Sequence, residues 1–175
     1  MDNTFTVGLS FGPEHIPPVI AMFLFSQEIC LRCRLPITIF VLNRLRLPAH
    51  QHTTIRCSSS ADGLYPGTSS RVVTLSSASA AALDAAQSLV LLAVAQGYGD
   101  AFREVGVVVS DAAAGRIIGR AGAQIATLRE GCERCELTPR DESSNERTVI
   151  ISGDVAQMTC TVRGIIDLIM ETLSE

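Results

Sequence analysis

The chain has 175 residues, 47% of them apolar, a formal net charge of −4 and no Trp. That length holds one medium domain or two small ones, and the apolar content supports a buried core rather than wholesale disorder. Aromatics at 5% exclude base recognition on an aromatic sheet, and the acidic balance excludes a binder driven by bulk positive charge.

The charge is uneven. Residues 1–102 carry six Arg and six acids, whereas residues 103–175 carry eight Arg and twelve acids. Every basic residue is Arg, whose planar fork suits phosphate and base edges.

In chain order, Phe5–Phe11 is expected as a first strand and Val19–Arg34 as a helix. The start is polar and has no basic region leading an apolar run, so the sequence reads as lacking a secretory signal. The run Pro18–Leu31 is broken by Ser26, Gln27 and Glu28, too short for the roughly 20 apolar residues of a bilayer span. Pro36–Leu42 is expected as a middle strand, and Asn43–Ser70 as a linker rich in Ser, Pro and Gly. Arg71–Ser76 then reads as a strand and Ala78–Gln96 as an apolar helix, with a joint at Gly97–Ala101.

The second half is clearer. Glu104–Ser110 is β-branched and predicts a strand. Ala112–Ile118 predicts two helical turns, Gly119–Gly122 an interruption, and Ala123–Glu130 a second helix ending near Gly131. Arg134–Thr138 alternates outward Arg134 and Glu136 with inward Cys135 and Leu137. Pro139–Asn145 is turn chemistry, and Arg147–Ser152 (RTVIIS) parallels Arg71–Ser76 (RVVTLS). Asp154 is placed to cap a long amphipathic helix from Val155 to Leu173. The order is β-α-α-β-β-α, partly repeated upstream.

One motif carries chemistry. In Arg116–Ile125 (RIIGRAGAQI), two glycines two residues apart separate two short helices. Without Cβ atoms the loop can turn sharply and admit a phosphate backbone, and the next helix offers free N–H groups to it. Arg120 adds a cation, and Ile117 and Ile118 could floor a groove. A GxxG alone is also a plain helix–helix turn; its setting gives it weight.

The stretch Gly115–Leu128 (GRIIGRAGAQIATL), with Asn145–Gly153 and the last helix, resembles the eukaryotic type I KH domain, closest to the poly(C)-binding, hnRNP K and Nova proteins. The resemblance implies an α+β fold over residues 103–175, with a three-stranded antiparallel sheet on three helices. It implies a non-enzymatic module holding about four nucleotides of single-stranded RNA or DNA. Gly115, Arg116, Ile117, Ile118, Gly119, Arg120, Ala121, Gly122 and Ile125 would form one wall of the groove, with Arg134 and Arg147 facing base edges from the other. In the poly(C)-binding branch such arginines help to read cytosine, so a pyrimidine preference and post-transcriptional control in nucleus or cytoplasm are expected. The loop departs from the family in carrying one cation, Arg120, beside Ala121.

Residues 1–97 are expected to be a degenerate or partial KH-like unit; the alternative is that only Arg71–Gln96 belongs to such a unit and residues 1–65 are an unrelated segment. Pro17–Met22, the region aligned with the GxxG, has no glycine, so this unit would pack on its neighbour, bind a protein partner or self-associate. That supports a rival reading: a KH-fold interaction scaffold without a working nucleic-acid site.

Other constellations are weaker. The pairs Cys30/Cys33 and Cys132/Cys135 could supply zinc thiolates, but they lie roughly 100 residues apart, where zinc sites use a spacer of about 15–20. They read as core cysteines in a reducing compartment, with no metal and no cofactor. His15, His50 and His52 lack ligand-spaced partners, and no catalytic arrangement is present.

Overall fold

The computed structural model describes residues 19–26, 53–58, 62–77, 80–99, 102–140 and 145–171. The strands are β1 Val19–Ser26, β2 Thr53–Cys57, β3 Ser70–Ser77, β4 Glu104–Ser110, β5 Arg134–Leu137 and β6 Glu146–Ser152. The helices are α1 Ala80–Tyr98, α2 Asp111–Ile118, α3 Ala123–Glu130 and α4 Val155–Met170, with a 3₁₀ turn at Arg120–Gly122. The strands form one sheet in the order β2-β3-β1-β4-β6-β5, antiparallel throughout.

That order reads alike from both edges, because each half contributes a first, third and second strand outward from the centre. The halves meet where β1 pairs with β4, at Met22–Val108, Phe23–Val107 and Leu24–Gly106. Period-two burial sets the core face. Ile55, Val73, Leu75 and Phe23 occupy it in the first half, and Cys135, Val149, Ile151 and Val107 in the second. The helix stripes repeat too. Leu83, Val90, Leu91 and Val94 on α1 recur as Met158, Ile165, Ile166 and Ile169 on α4, at a constant sequence offset.

A polar corner is also duplicated. Ser58 N–H donates to the Val72 carbonyl at 2.8 Å, its Oγ accepts from Val72 N–H at 3.1 Å, and its carbonyl accepts from Arg71 Nη1 at 3.1 Å. Thr138 N–H donates to the Thr148 carbonyl at 2.8 Å, its Oγ1 accepts from Thr148 N–H at 2.9 Å, and its carbonyl accepts from Arg147 Nε at 2.9 Å. Each corner satisfies backbone groups that the ending strand would otherwise leave unpaired.

Helix starts follow from capping. Ser110 Oγ accepts from Ala113 N–H at 3.2 Å and begins α2. Asp154 and Gln157 close a capping box, so the expected cap of α4 is found. Across the centre, Arg163 on α4 grips Asp84 on α1 through Nε at 2.7 Å and Nη2 at 2.5 Å. Gln87, fully buried, donates to Asp84 Oδ1 and to the Thr159 carbonyl at 3.0 and 3.3 Å. Tyr65 OH reaches Glu146 Oε2 at 3.0 Å, tying the β2–β3 connection to β6.

The first half corrects several expectations. Val19–Ser26, expected within a helix Val19–Arg34, is strand β1. Its sequence VIAMFLFS is apolar up to Ser26, and such an unbroken run cannot be assigned to strand or helix by periodicity. Pro17–Met22 is therefore no counterpart of the GxxG loop, since residues 19–22 lie on β1, which stands where β4 stands in the second half. The expected linker Asn43–Ser70 contains β2, whose Thr53, Thr54 and Ile55 are β-branched and whose Ile55 is buried. The joint expected at Gly97–Ala101 begins later, because α1 runs to Tyr98 and Gly99 makes the turn at φ 73°. The strands expected at Phe5–Phe11 and Pro36–Leu42, the pair Cys30/Cys33, the three histidines and Leu173 lie outside the described residues. No helix among the described residues is long and apolar enough to cross a membrane.

Asp84 gives a pH-dependent test of how the halves are held. Partial burial works to raise its carboxyl, but hydrogen bonds from Arg163 and Gln87, with the Arg163 charge, outweigh this and hold it below the usual carboxylate range. A lowered folded-state pKa stabilises above the unfolded value and loses that contribution as pH falls through the folded one. Asp84→Asn should therefore cost about 0.5–1 kcal/mol at neutral pH. In urea denaturation the gap from wild type should close as pH falls from about 5 toward 2.

Candidate nucleic-acid interface

The second half places its GxxG loop between two short helices on the core side of the sheet. α2 ends at Gly119, whose N–H donates back to the Gly115 carbonyl at 3.0 Å. Gly119 stands at φ 72°, ψ 178°, and Gly122 at φ 80°, ψ 13°. Between them Ala121 holds φ 53°, the only positive φ outside glycine among the described residues. The chain thus turns through left-handed backbone and delivers the start of α3, which no side chain caps. An uncapped helix start after left-handed residues presents N–H groups to an anion.

The side chains fit that role unequally. Arg116, Arg120 and Ala121 are exposed, and Gly119 and Gly122 are half-buried. Gly115 is exposed, and among the described residues there is open space where a β-carbon would stand. Ile118 is half-exposed and can meet a base. Ile117 is wholly buried and Ile125 is 7% exposed, so both hold α2 and α3 to the core rather than offering surface.

The two arginines expected on the opposite wall separate. Arg147 shares its β6 face with Val149 and Ile151, the face on which the helices lie. Its Nε is anchored on the Thr138 carbonyl, so the rest of the fork is held on the helix side. Arg134 has the other parity on edge strand β5. It is bound to Glu136 at 2.7 Å, with Glu104 at 3.9 Å. Its hydrogen bond and charge hold the Glu136 carboxyl below the usual range. The structure groups Arg116, Ile118, Arg120, the loop and Arg147 on one side of the sheet and leaves Arg134 on the other.

Charge placement resolves the acidic surplus locally. Between Asp111 and Glu130 there is no acid, and that stretch carries Arg116, Arg120 and Arg129. Arg103, Arg134, Arg140 and Arg163 are paired with carboxylates, and Arg129 donates to the Cys135 carbonyl. Among the described residues Arg116 and Arg120 form neither ion pair nor hydrogen bond. Sequence reasoning missed Thr138, which anchors Arg147; a hydroxyl residue just past the strand was its available signal.

Cys132 and Cys135 sit where α3 passes into β5. Cys135 is buried, and burial first, then its neighbour Cys132, pushes its thiol up to about 11. Cys132 donates to the Leu128 and Arg134 carbonyls at 3.4 and 3.3 Å. Among the described residues no group of three or more His, Cys, Asp or Glu could hold a metal ion.

Two outcomes follow. Ala121→Gly should raise stability by up to about 1 kcal/mol in denaturant unfolding, since glycine accepts φ 53° without the left-handed penalty. In the native protein at about pH 8, iodoacetamide should alkylate exposed Cys160 well before buried Cys135, as peptide mapping would show.

Residues 104–167 match the family model described as KH domain. The chain matches no curated protein sequence. With its β-α-α-β-β-α order and three antiparallel strands β4, β6 and β5, this segment has the type I KH fold, the fold of modules that bind single-stranded nucleic acid.

Proposed function

We propose that the chain binds a short single-stranded RNA or DNA, of about four nucleotides, through the Gly119–Gly122 loop, with a preference for pyrimidine and especially C-rich sequence, and that it serves post-transcriptional control in the nucleus or cytoplasm. The carrying observation is the loop: left-handed backbone, an uncapped helix start, and unpaired Arg116 and Arg120 in an acid-free stretch. Arg147 supports base reading, because its Nε anchor leaves an oriented fork on the same side of the sheet, and an Arg fork donates to cytosine acceptors. The resemblance to poly(C)-binding, hnRNP K and Nova proteins supports the sequence preference. Arg134 is assigned no base contact here, because Glu136 and Glu104 hold it on the far face.

Residues 19–98 are read as a clampless counterpart of the KH unit, since no glycine occurs between Gly12 and Gly63. This half, with the acid surplus, favours the rival role of interaction scaffold.

Fluorescence anisotropy of the full chain with short C-rich, U-rich and A-rich RNA separates the two. The clamp reading expects pyrimidine preference and a shallow salt slope of roughly one to three phosphates. Arg120→Asp with Ala121→Asp should abolish binding while leaving the fold intact, because the loop is exposed and Asp tolerates left-handed backbone. Wild-type binding by that double variant would sink the clamp; no binding to any oligonucleotide at tens of micromolar would favour the scaffold.

A further inference from the structure

Resting on the clamp reading, we infer that Gln124 is a working member of the clamp, its side-chain amide donating to a backbone phosphate of the bound strand. Gln124 is the second residue of α3 and is exposed. Its stem lies directly against the loop. A β-carbon at Gly119 would stand 2.5 Å from Gln124 Cγ, 2.9 Å from its Cβ and 3.0 Å from its backbone nitrogen. Gly119 is therefore bare on the side where Gln124 folds back over it. The glutamine stem fills the space a β-carbon would take, which sets the amide beside the loop that carries Arg120.

A second glutamine in the same chain shows what this arrangement does when it is internally satisfied. Gln157 folds back over Gly153, where a β-carbon would stand 2.6 Å from its Oε1, and that oxygen accepts from Asp154 N–H at 2.9 Å. Gln124, at the start of α3, also folds back over a glycine, here the one that ends α2, but its amide has no hydrogen bond among the described residues. The groups near it are the uncapped start of α3, the loop and the unpaired Arg120, with no carboxylate between Asp111 and Glu130 to receive its N–H. An amide N–H there meets an anion that the loop already favours, and the glutamine stem, seated on Gly119, limits the rotamers that must be ordered on binding.

The test uses the full chain and one C-rich oligonucleotide made as RNA and as DNA, with melting temperature recorded for each variant. Gln124→Met keeps the stem on Gly119 and removes the amide. It should weaken both oligonucleotides alike, by about tenfold, with unchanged melting. Gln124→Lys, which puts a cation on the same stem, should bind at least as well as wild type. Arg120→Asp with Ala121→Asp serves as the clamp control. If Gln124→Met binds like wild type while the control has lost binding, the clamp stands and the Gln124 assignment is wrong. Loss on RNA alone would overturn the phosphate assignment in favour of a ribose hydroxyl. If wild type binds neither oligonucleotide, or the control binds as well as wild type, the clamp reading and this inference fall together.

Discussion

The pairing of β1 with β4 is the contact on which the rest of the architecture depends. Only three residue pairs define it, Met22–Val108, Phe23–Val107 and Leu24–Gly106, yet it joins two three-stranded halves into one sheet. It sets α1 and α4 side by side, so that Asp84 meets Arg163 and Gln87 meets the Thr159 carbonyl. Phe23 and Val107 face each other at the centre, and burying such side chains contributes about 1.5–3 kcal/mol each. The Gly119–Gly122 loop stands apart from the three residue pairs of this seam. It is carried on α2, which packs on β4 and β6, and on α3, which packs on β5.

The sequence made the second half legible because each local signal agreed with the fold around it. Ser110 and Asp154 cap where polar residues precede apolar periodicity, the glycines break the helix where left-handed backbone is needed, and β4 and β6 are β-branched. The first half was legible only from Arg71 onward, where RVVTLS and the apolar helix repeat the later pattern. β1 was hidden because its unbroken apolar run has no alternation to tell a strand from a helix. β2 was hidden by its neighbours: Thr53–Cys57 is short and lies among Ser, His and Gly residues that read as linker.

The site was legible to a similar depth. Two glycines and an arginine announced the loop, but residue type could not say which side chains face outward. Ile117 and Ile118 are adjacent and identical, yet helix geometry buries the first and half-exposes the second. Arg134 and Arg147 looked equivalent until strand parity separated them, because successive residues point to opposite faces. Arg147 is pinned to Thr138 as Arg71 is to Ser58, so the arginine at this corner is first a structural residue and only then available to a ligand.

The strand order also bears on how the chain is made. β1 is flanked by β3, some fifty residues later, and by β4, more than eighty residues later. On a ribosome, the run VIAMFLFS leaves the exit tunnel before either neighbour does; one edge can pair once β3 has emerged, and the other stays open until residue 110 has emerged. At elongation rates of about 5–20 residues per second, that interval lasts several seconds. An apolar strand with an edge open for that long is a natural client for a nascent-chain chaperone, and pausing of translation between β1 and β4 would lengthen its exposure.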